Sequence, residues 1–108
     1  MNEWIDKDGY STCRLADAAH LRCPGTEIQL VRFHQGKTEH YHKTKTEFFY
    51  FTSGCGSIVI DGVTSTLRAD ISVVVHPKQR HTFINDSNEP LEAIQIKMNS
   101  TSDDTFQT

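Results

Sequence analysis

The sequence predicts an all-β protein built as one small barrel or sandwich. Short segments rich in β-branched and aromatic residues recur at regular spacing, with turn-forming residues between them. The chain has 108 residues, which is enough for one domain, and it shows no internal repeat. We therefore expect a β-barrel over residues 27–98, an irregular arm over residues 1–26 and a polar, disordered tail over residues 99–108.

The individual strands follow from local signals. The pair Asp61-Gly62 between two apolar segments is typical of a two-residue β-hairpin. Gly36 ends the segment before it, and residues 16–22 favour a short helical turn that a Pro-Gly pair would end. Strands are expected at residues 27–34, 47–52, 57–60, 63–67, 71–75, 81–84 and 91–98.

Three histidines and one glutamate fall where β-structure would turn them inward. His40 and His42 are one residue apart, and side chains at that spacing share a face only on an extended strand. Glu47 follows five positions later, and His81 comes from a distant strand. Imidazoles with one carboxylate suit a divalent first-row transition metal such as Fe, Mn, Ni, Zn or Cu. The sequence thus predicts one metal ion per chain, held by these four residues.

Aromatic residues on the same strand faces would form the apolar wall of a substrate pocket. Strand alternation places Phe49 and Phe51 on the face of Glu47, and Phe83 on the face of His81. Such a wall keeps water out and strengthens the electrostatics between a metal and its ligands. The site would then lie inside the barrel near its mouth, where small-ligand pockets are common.

Several polar residues are weaker candidates for substrate contacts. Gln95 and Lys97 share one face of the last strand. Arg32 lies among apolar residues, where it either clamps a substrate carboxylate or is simply exposed. Lys43 and Lys45, between the ligands, are either solvated or part of a mobile lid that attracts an anionic substrate.

The other histidines and the cysteines carry less weight. His34 and His76 could donate hydrogen bonds to the ligands, although surface placement is the more common fate of a histidine. The three cysteines are odd in number and form no CxxC pair, which favours neither a disulfide framework nor a cysteine zinc site. Cys55, between two glycines, is interpreted as an accessible but non-catalytic thiol.

Composition argues against several classes of partner. The net charge is −3, and the lysines and arginines are spread along the chain, so we expect no nucleic-acid surface. No apolar run approaches the length of a membrane span, and the first residues have no hydrophobic signal core. We expect a cytoplasmic protein whose partner is a small-molecule substrate or ligand.

Two spaced motifs resemble those of the cupin superfamily. The first cupin motif has a glycine, HxH, a glutamate and a glycine, which Gly36, the histidine pair, Glu47 and Gly54 follow, with four residues before the glutamate and six after it. The second ends in a histidine, three residues and an asparagine, as His81 and Asn85 do. The resemblance covers about residues 27–98 and implies a jelly-roll β-barrel with a mononuclear metal at the four ligand positions.

The sequence also departs from the cupin pattern. The first glycine stands three residues before His40 instead of the usual five, and Ala69-Asp70 replaces a usual Gly-Asp pair. Lys78 occupies a turn position where glycine is usual, although lysine lacks glycine's freedom at positive φ. These departures concern loop conformation more than ligand geometry.

The resemblance implies several functions. Cupins include dioxygenases, isomerases, decarboxylases, lyases and proteins that only bind small molecules, and a fold does not choose among them. We expect a metal-dependent enzyme acting on a small oxygenated substrate, with dioxygenation if the ion is iron, and isomerase or lyase chemistry on a sugar or hydroxy acid if it is Mn, Ni or Zn. Glu47 would bind the ion and also take a proton.

Two alternatives stay open at this point. One is a non-catalytic sensor or binding module for a small molecule, and the other is a dimer whose metal only holds strands together. Because small single-domain cupins often dimerise, a homodimer is expected, with Trp4 and Ile5 of the arm lying across the partner.

Overall fold

The computed structural model describes residues 3–35, 39–101 and 104–107, and its strands form two antiparallel sheets. In chain order the elements are β1 (Trp4–Asp6), β2 (Tyr10–Ala16), α1 (Ala18–Leu21), β3 (Glu27–Phe33), β4 (His40–Tyr41), β5 (Thr46–Ser53), β6 (Cys55–Ile60), β7 (Val63–Arg68), β8 (Ser72–Val75), β9 (His81–Ile84), β10 (Leu91–Met98) and β11 (Phe106–Gln107). The six-stranded sheet has the order β1-β2-β3-β10-β5-β8, and the five-stranded sheet has the order β11-β4-β9-β6-β7. The all-β prediction is confirmed.

The strands expected within residues 27–98 are all present, and β9 and β10 have the expected bounds. The hairpin between β6 and β7 turns at Asp61 and Gly62, whose φ angles of 48° and 82° are those of a turn that needs positive φ at both central residues. Gly36, used as a strand end and as the first residue of the cupin motif, lies outside the described residues.

Strand alternation turns one face of each central strand into the core. On β5, Glu47, Phe49 and Phe51 are buried while the residues between them are half-buried. β10 lies between β3 and β5, and its register sets Gln95 opposite Gln29 on one side and Phe49 on the other. This arrangement brings polar residues from three strands to one place.

The apolar core is built around stacked phenylalanines. The ring of Phe83 lies 4.3 Å from that of Phe33 and 4.9 Å from that of Phe49, measured between centroids. Burial of each such side chain contributes about 1.5–3 kcal/mol. The buried core consists of Val31, Phe33, Phe49, Phe51, Ile58, Leu67, Val75, Phe83, Leu91 and Ala93.

The expectation of an irregular arm over residues 1–26 is wrong for the described part. β1 pairs with β2, and β2 pairs with β3, so the arm extends the six-stranded sheet at its edge. The strand structure of Tyr10–Ala16 follows from its backbone pairing with β3. Met1 and Asn2 lie outside the described residues.

The expected helical turn is present as α1. Asp17 caps it by accepting a hydrogen bond from the backbone N–H of His20, and Arg22, at φ 51°, ends it before the Pro-Gly pair. Among the described residues, no helix has the length and apolar character needed to cross a membrane.

The prediction of a disordered tail over residues 99–108 is also wrong where the structure describes it. β11 pairs with β4, and Asp104 is buried at 8% exposure. Burial and strand pairing outweigh the polar composition that suggested disorder. Residues 102, 103 and 108 lie outside the described part.

Lys78, which stands where glycine is usual, and Asp70, which follows the departure at Ala69, both have positive φ. Their φ angles are 70° and 72°. Asp70 accepts a 2.6 Å hydrogen bond from the Tyr50 hydroxyl, and the backbone N–H of Lys78 donates to the carbonyl of His42. A non-glycine residue in this conformation carries a backbone strain of about 1–3 kcal/mol.

Candidate metal centre

Three histidines of the five-stranded sheet and a glutamate of the six-stranded sheet converge inside the protein. The β4–β9 pairing sets His40 opposite His81, with ring centroids 4.2 Å apart, and His42 follows β4 directly. Glu47 enters from β5. One ligand atom from each of the four residues lies within 4.8 Å of the others, and all four side chains are buried. The structure therefore brings together all four predicted metal ligands.

The chemistry of these atoms fits a cation. Nε2 of His42 lies 3.1 Å from Oε1 of Glu47, and Nε2 of His81 lies 3.3 Å from the same oxygen. Within the described part of the chain, neither Nε2 has a hydrogen-bond partner. Buried polar atoms rarely stay unsatisfied, and a buried carboxylate needs a paired charge or a metal. A divalent ion among these donors would satisfy both requirements.

Backbone carbonyls orient two of the imidazoles. Nδ1 of His42 lies 2.9 Å from the carbonyl oxygen of Asp104, and Nδ1 of His81 lies 3.1 Å from that of Gln79. A carbonyl oxygen can only accept, so each Nδ1 donates the hydrogen bond, and Nε2 is the nitrogen directed at the cluster. Such contacts are typical of metal-binding histidines.

A chain of side-chain amides orients the glutamate. Gln29 donates a 2.7 Å hydrogen bond to Gln95, and Gln95 donates to Oε2 of Glu47. The three side chains are buried. Since Gln95 holds Oε2, the other oxygen of Glu47 is the one directed at the histidine nitrogens.

The loop between His42 and Glu47 is folded around Asp104. Burial alone would raise the pKa of this carboxyl, but hydrogen bonds from the Thr44 hydroxyl and from the backbone N–H groups of Lys43, Thr44 and Lys45 hold its pKa down at about 2. Asp104 is therefore ionised across the physiological pH range.

The cluster opens into a cavity of about 550 Å³. His40, His42 and Glu47 line its inner end, whereas His81 is completely buried behind them. The volume is that of a small-molecule site. The rest of the wall is largely polar or charged and includes Tyr10, Thr12, Arg14, Glu27, Gln29, Lys45, Gln95, Lys97 and Thr105.

Two residues of this wall have shifted proton affinities. Desolvation lowers the pKa of Lys45, although the charge of Glu47 opposes the shift. Desolvation raises the pKa of Tyr10, and the negative charges of Glu47 and Asp8 act in the same direction.

The sequence matches the family model described as "Cupin domain" over residues 29–97. The chain belongs to the cupin family. Its fold also resembles solved cupin-fold structures along nearly its whole length, which identifies the two sheets as a jelly roll.

Three solved structures illustrate this likeness. A Streptomyces PAC13 variant with uridine has a TM-score of 0.79 at 15% identity, covering 99% of this cupin and 84% of that chain. KdgF from Halomonas sp. has a TM-score of 0.77 at 19% identity, covering 94% and 89%. A predicted oxalate decarboxylase from Thermotoga maritima has a TM-score of 0.79 at 16% identity, covering 90% of each chain. At these identities the likeness establishes the fold.

A curated relative is closer in sequence but matches a shorter stretch. Polyketide synthase CurC of Streptomyces cyaneus is 38% identical over 62 residues, which are 57% of this cupin and 40% of that protein. This cupin thus spans about two fifths of the length of that relative.

Some of the predicted substrate-pocket residues line the cavity and others lie in the core behind it. Phe49 and Gln95 line the cavity, as does Lys97. Phe51 and Phe83 are buried in the core and do not belong to the cavity wall. Phe83 lies behind the cluster, with its ring centroid 6.2 Å from that of His81.

The prediction of Arg32 as a pocket residue is wrong in this structure. Its guanidinium pairs with Glu92 at 2.8 Å and lies 3.9 Å from the centre of the Trp4 ring. Val31 and Phe33 face the core, so Arg32 between them faces outward. The exposed alternative for this residue applies.

Of the residues left ambiguous by the sequence, Lys45 lines the cavity, whereas His34, His76 and Lys43 lie at the surface. His34 is exposed and contacts the Ser11 hydroxyl at 3.1 Å, and His76 is exposed. Lys43 is exposed over the Phe106 ring. Cys55 and Cys23 are exposed free thiols, and Cys13 is a buried one.

Sequence reasoning missed several residues of this cupin's site. Gln29 shares its strand face with Val31 and Phe33, so strand alternation alone could have found it. Tyr10 and Thr12 line the cavity from the arm that was expected to be irregular. No local signal identifies Asp104, because its role depends on a contact with a loop about 60 residues away.

Proposed function

We propose that this cupin is a mononuclear metal enzyme that transforms a small, polar, oxygenated molecule by isomerase or lyase chemistry. The observation that carries the proposal is the buried convergence of His40, His42, Glu47 and His81 at the inner end of a cavity. A bound divalent ion would supply Lewis-acid polarisation of a substrate oxygen. The donor set does not choose among Fe, Mn, Ni, Zn and Cu.

The character of the cavity supports a hydroxylated substrate. Thr12, Gln29 and Gln95 offer hydroxyl and amide groups to substrate oxygens. Lys45 and Lys97 also line the cavity, where Lys97 pairs with Glu27 at 3.7 Å and acidic side chains balance the basic ones along the wall. A sugar, a hydroxy acid or a polyoxygenated chain has the matching chemistry.

The relatives support the same class of substrate. PAC13, solved with uridine, is described as a nucleoside dehydratase, and another similar structure is a sugar phosphate isomerase from Silicibacter pomeroyi. The relative with 38% identity is a polyketide synthase. Each acts on oxygenated molecules, and none of these names assigns the substrate here.

The role proposed for Glu47 is chiefly that of a ligand. Its Oε2 accepts a hydrogen bond from Gln95, and its Oε1 faces the histidine nitrogens. A proton acceptor needs a lone pair directed at the substrate, so Glu47 would first have to leave the ion. That Glu47 also takes a proton stays a prediction.

Two other readings of the site stay as alternatives. Dioxygenation would follow if the resident ion is iron. A sensor would use the same cavity to retain a molecule without changing it. A cytoplasmic location and a homodimeric state also stay predictions. The exposed Trp4 and Ile5 of the edge strand β1 support the dimer.

The proposal is tested by metal analysis of the untagged protein, followed by activity assays. We expect about one ion per chain in the wild type, loss of most of it in His42→Ala and His81→Ala, and full retention in His76→Ala, whose imidazole is exposed. Unchanged metal content in both ligand variants would refute the assignment.

The assays supply the second half of the test. Sugars, hydroxy acids, nucleosides and polyketides are incubated with the metal-loaded protein, with oxygen uptake recorded in parallel. Turnover without oxygen uptake supports isomerase or lyase chemistry, and oxygen consumption supports dioxygenation. Tight retention of one metabolite without turnover would favour the sensor.

A further inference from the structure

We infer that Asp104 is a positioning residue of the metal centre, which folds the ligand loop with its carboxylate and orients His42 with its backbone carbonyl. The inference rests on the proposed metal function. It assigns a role in metal binding to a C-terminal segment that lies outside the cupin family match at residues 29–97.

The carboxylate of Asp104 organises the loop that connects two ligands. It accepts hydrogen bonds from the backbone N–H groups of Lys43, Thr44 and Lys45 at 2.8, 3.1 and 3.0 Å, and from the Thr44 hydroxyl at 2.8 Å. Successive N–H groups directed at one anion form a concave backbone site. The Asp104 carboxylate therefore holds three successive residues of the loop between His42 and Glu47, where Asn99 adds a 3.2 Å hydrogen bond to the carbonyl of Thr44.

The main chain of the same residue acts on a ligand directly. The carbonyl oxygen of Asp104 accepts the hydrogen bond from Nδ1 of His42 at 2.9 Å, and the Thr105 hydroxyl lies 3.4 Å from the same nitrogen. This contact directs Nδ1 at the tail and Nε2 at the cluster. Asp104 thus contacts both the loop before Glu47 and the ring of His42.

Contacts of the residues that follow Asp104 hold it in place. Phe106 stacks on Tyr41 at 5.3 Å between centroids, and the Lys43 ammonium lies 4.5 Å from the Phe106 ring centre. Gln107 pairs with His40 across the β11–β4 ladder. The tail therefore contacts the backbone of a second ligand as well, and the buried carboxylate joins these contacts to the loop.

The effect expected from such a residue is a loss of metal affinity. Removal of groups that orient metal ligands costs about 10- to 100-fold in affinity. Asp104→Ala removes the acceptor for the loop and loosens the carbonyl that orients His42, so we expect a loss in this range. Asp104→Asn keeps one acceptor oxygen but sets an NH₂ group against N–H donors, so its loss should be smaller.

The test compares these variants with Asp86→Ala, which removes an exposed aspartate in a turn. Zn²⁺ and Mn²⁺ affinities are measured by competition with a chromophoric chelator, on proteins whose fold is checked by circular dichroism. We expect the metal affinity to be highest in the wild type and Asp86→Ala, lower in Asp104→Asn and lowest in Asp104→Ala. Equal affinity in the wild type and both Asp104 variants would overturn the inference.

A second readout separates this inference from the proposed metal function. In metal-free protein, ¹⁵N–¹H spectra of the imidazoles report the tautomer of His42, which we expect to be protonated at Nδ1 in the wild type and mixed in the Asp104 variants. An unchanged tautomer in folded variants would overturn the inference. Failure of the wild type to bind any ion would instead refute the proposed function, and the tautomer comparison would still decide the role of Asp104.

Discussion

Gln95 donates a hydrogen bond from its side-chain amide to Oε2 of Glu47, and both residues are buried on adjacent strands. The register of β10 and β5 pairs Lys97 with Glu47, so Gln95 is the diagonal neighbour of Glu47 on the inner face. The contact leaves the other carboxylate oxygen directed at two histidine nitrogens. The candidate metal centre thus includes an amide beside the four proposed ligands.

Gln95→Leu should weaken divalent metal binding by about 10- to 100-fold, because the Glu47 carboxylate loses the donor that orients it. Leucine has a similar size, so packing changes little. Gln29→Leu serves as the graded control, since its amide acts on Glu47 only through Gln95. Chelator competition measures both affinities. A Gln95 variant that binds as tightly as the wild type would contradict the orienting role.

Gly54→Ala should destabilise the protein far more than Gly62→Ala. Both glycines have positive φ, 86° and 82°, so each substitution costs about 1–2 kcal/mol of backbone strain. A Cβ at Gly54 would also overlap the backbone oxygen of Pro90 and lie 2.8 Å from the Cα of Leu91, whereas a Cβ at Gly62 meets open space. Urea unfolding measures the difference. Equal losses in the two variants would show that the β5–β6 turn can move away from Pro90.

Phe83→Ala should lower the free energy of unfolding by about 3–5 kcal/mol, because it removes the central ring of the phenylalanine cluster. Ile84→Ala is the matched control on the same strand, since Ile84 is 42% exposed and should cost about 0.5 kcal/mol or less. Denaturant titration in the presence of EDTA isolates packing from metal binding. Similar losses for the two substitutions would place the core elsewhere.

Tyr50 should ionise at higher pH than a free tyrosine. Its hydroxyl donates to Asp70, and this hydrogen bond, together with the aspartate charge, raises the pKa of Tyr50 above its usual value near 10. The stabilisation from this contact is therefore present below pH 10 and is lost as the pH rises through the higher pKa of the folded protein. Asp70→Asn should return the pKa towards 10.

NMR titration of the tyrosine ring carbons checks this assignment. Tyr50→Phe identifies the resonance, and Asp70→Asn supplies the comparison. Matching titration curves for Tyr50 in the wild type and Asp70→Asn would mean that the two side chains do not interact in solution.

The strands expected within residues 27–98 and the four candidate ligands could be predicted from the amino-acid sequence. Their signals are local, because strand alternation sets His40 and His42 on one face and the Asp-Gly pair ends a strand wherever it occurs. These short-range patterns can be read from the sequence whatever strand pairing the rest of the chain adopts. The residue spacings of the two cupin motifs reflect the same short-range constraints.

The residues that surround those ligands become apparent only from the folded chain. Gln29 reaches Glu47 through Gln95 because β10 pairs with both β3 and β5, and Asp104 reaches His42 because β11 pairs with β4. The arm joins the sheet, and Arg32 turns outward to Glu92, for the same kind of reason. Pairing between strands distant in sequence depends on the free energy of the whole fold, so no short segment of the chain carries this information.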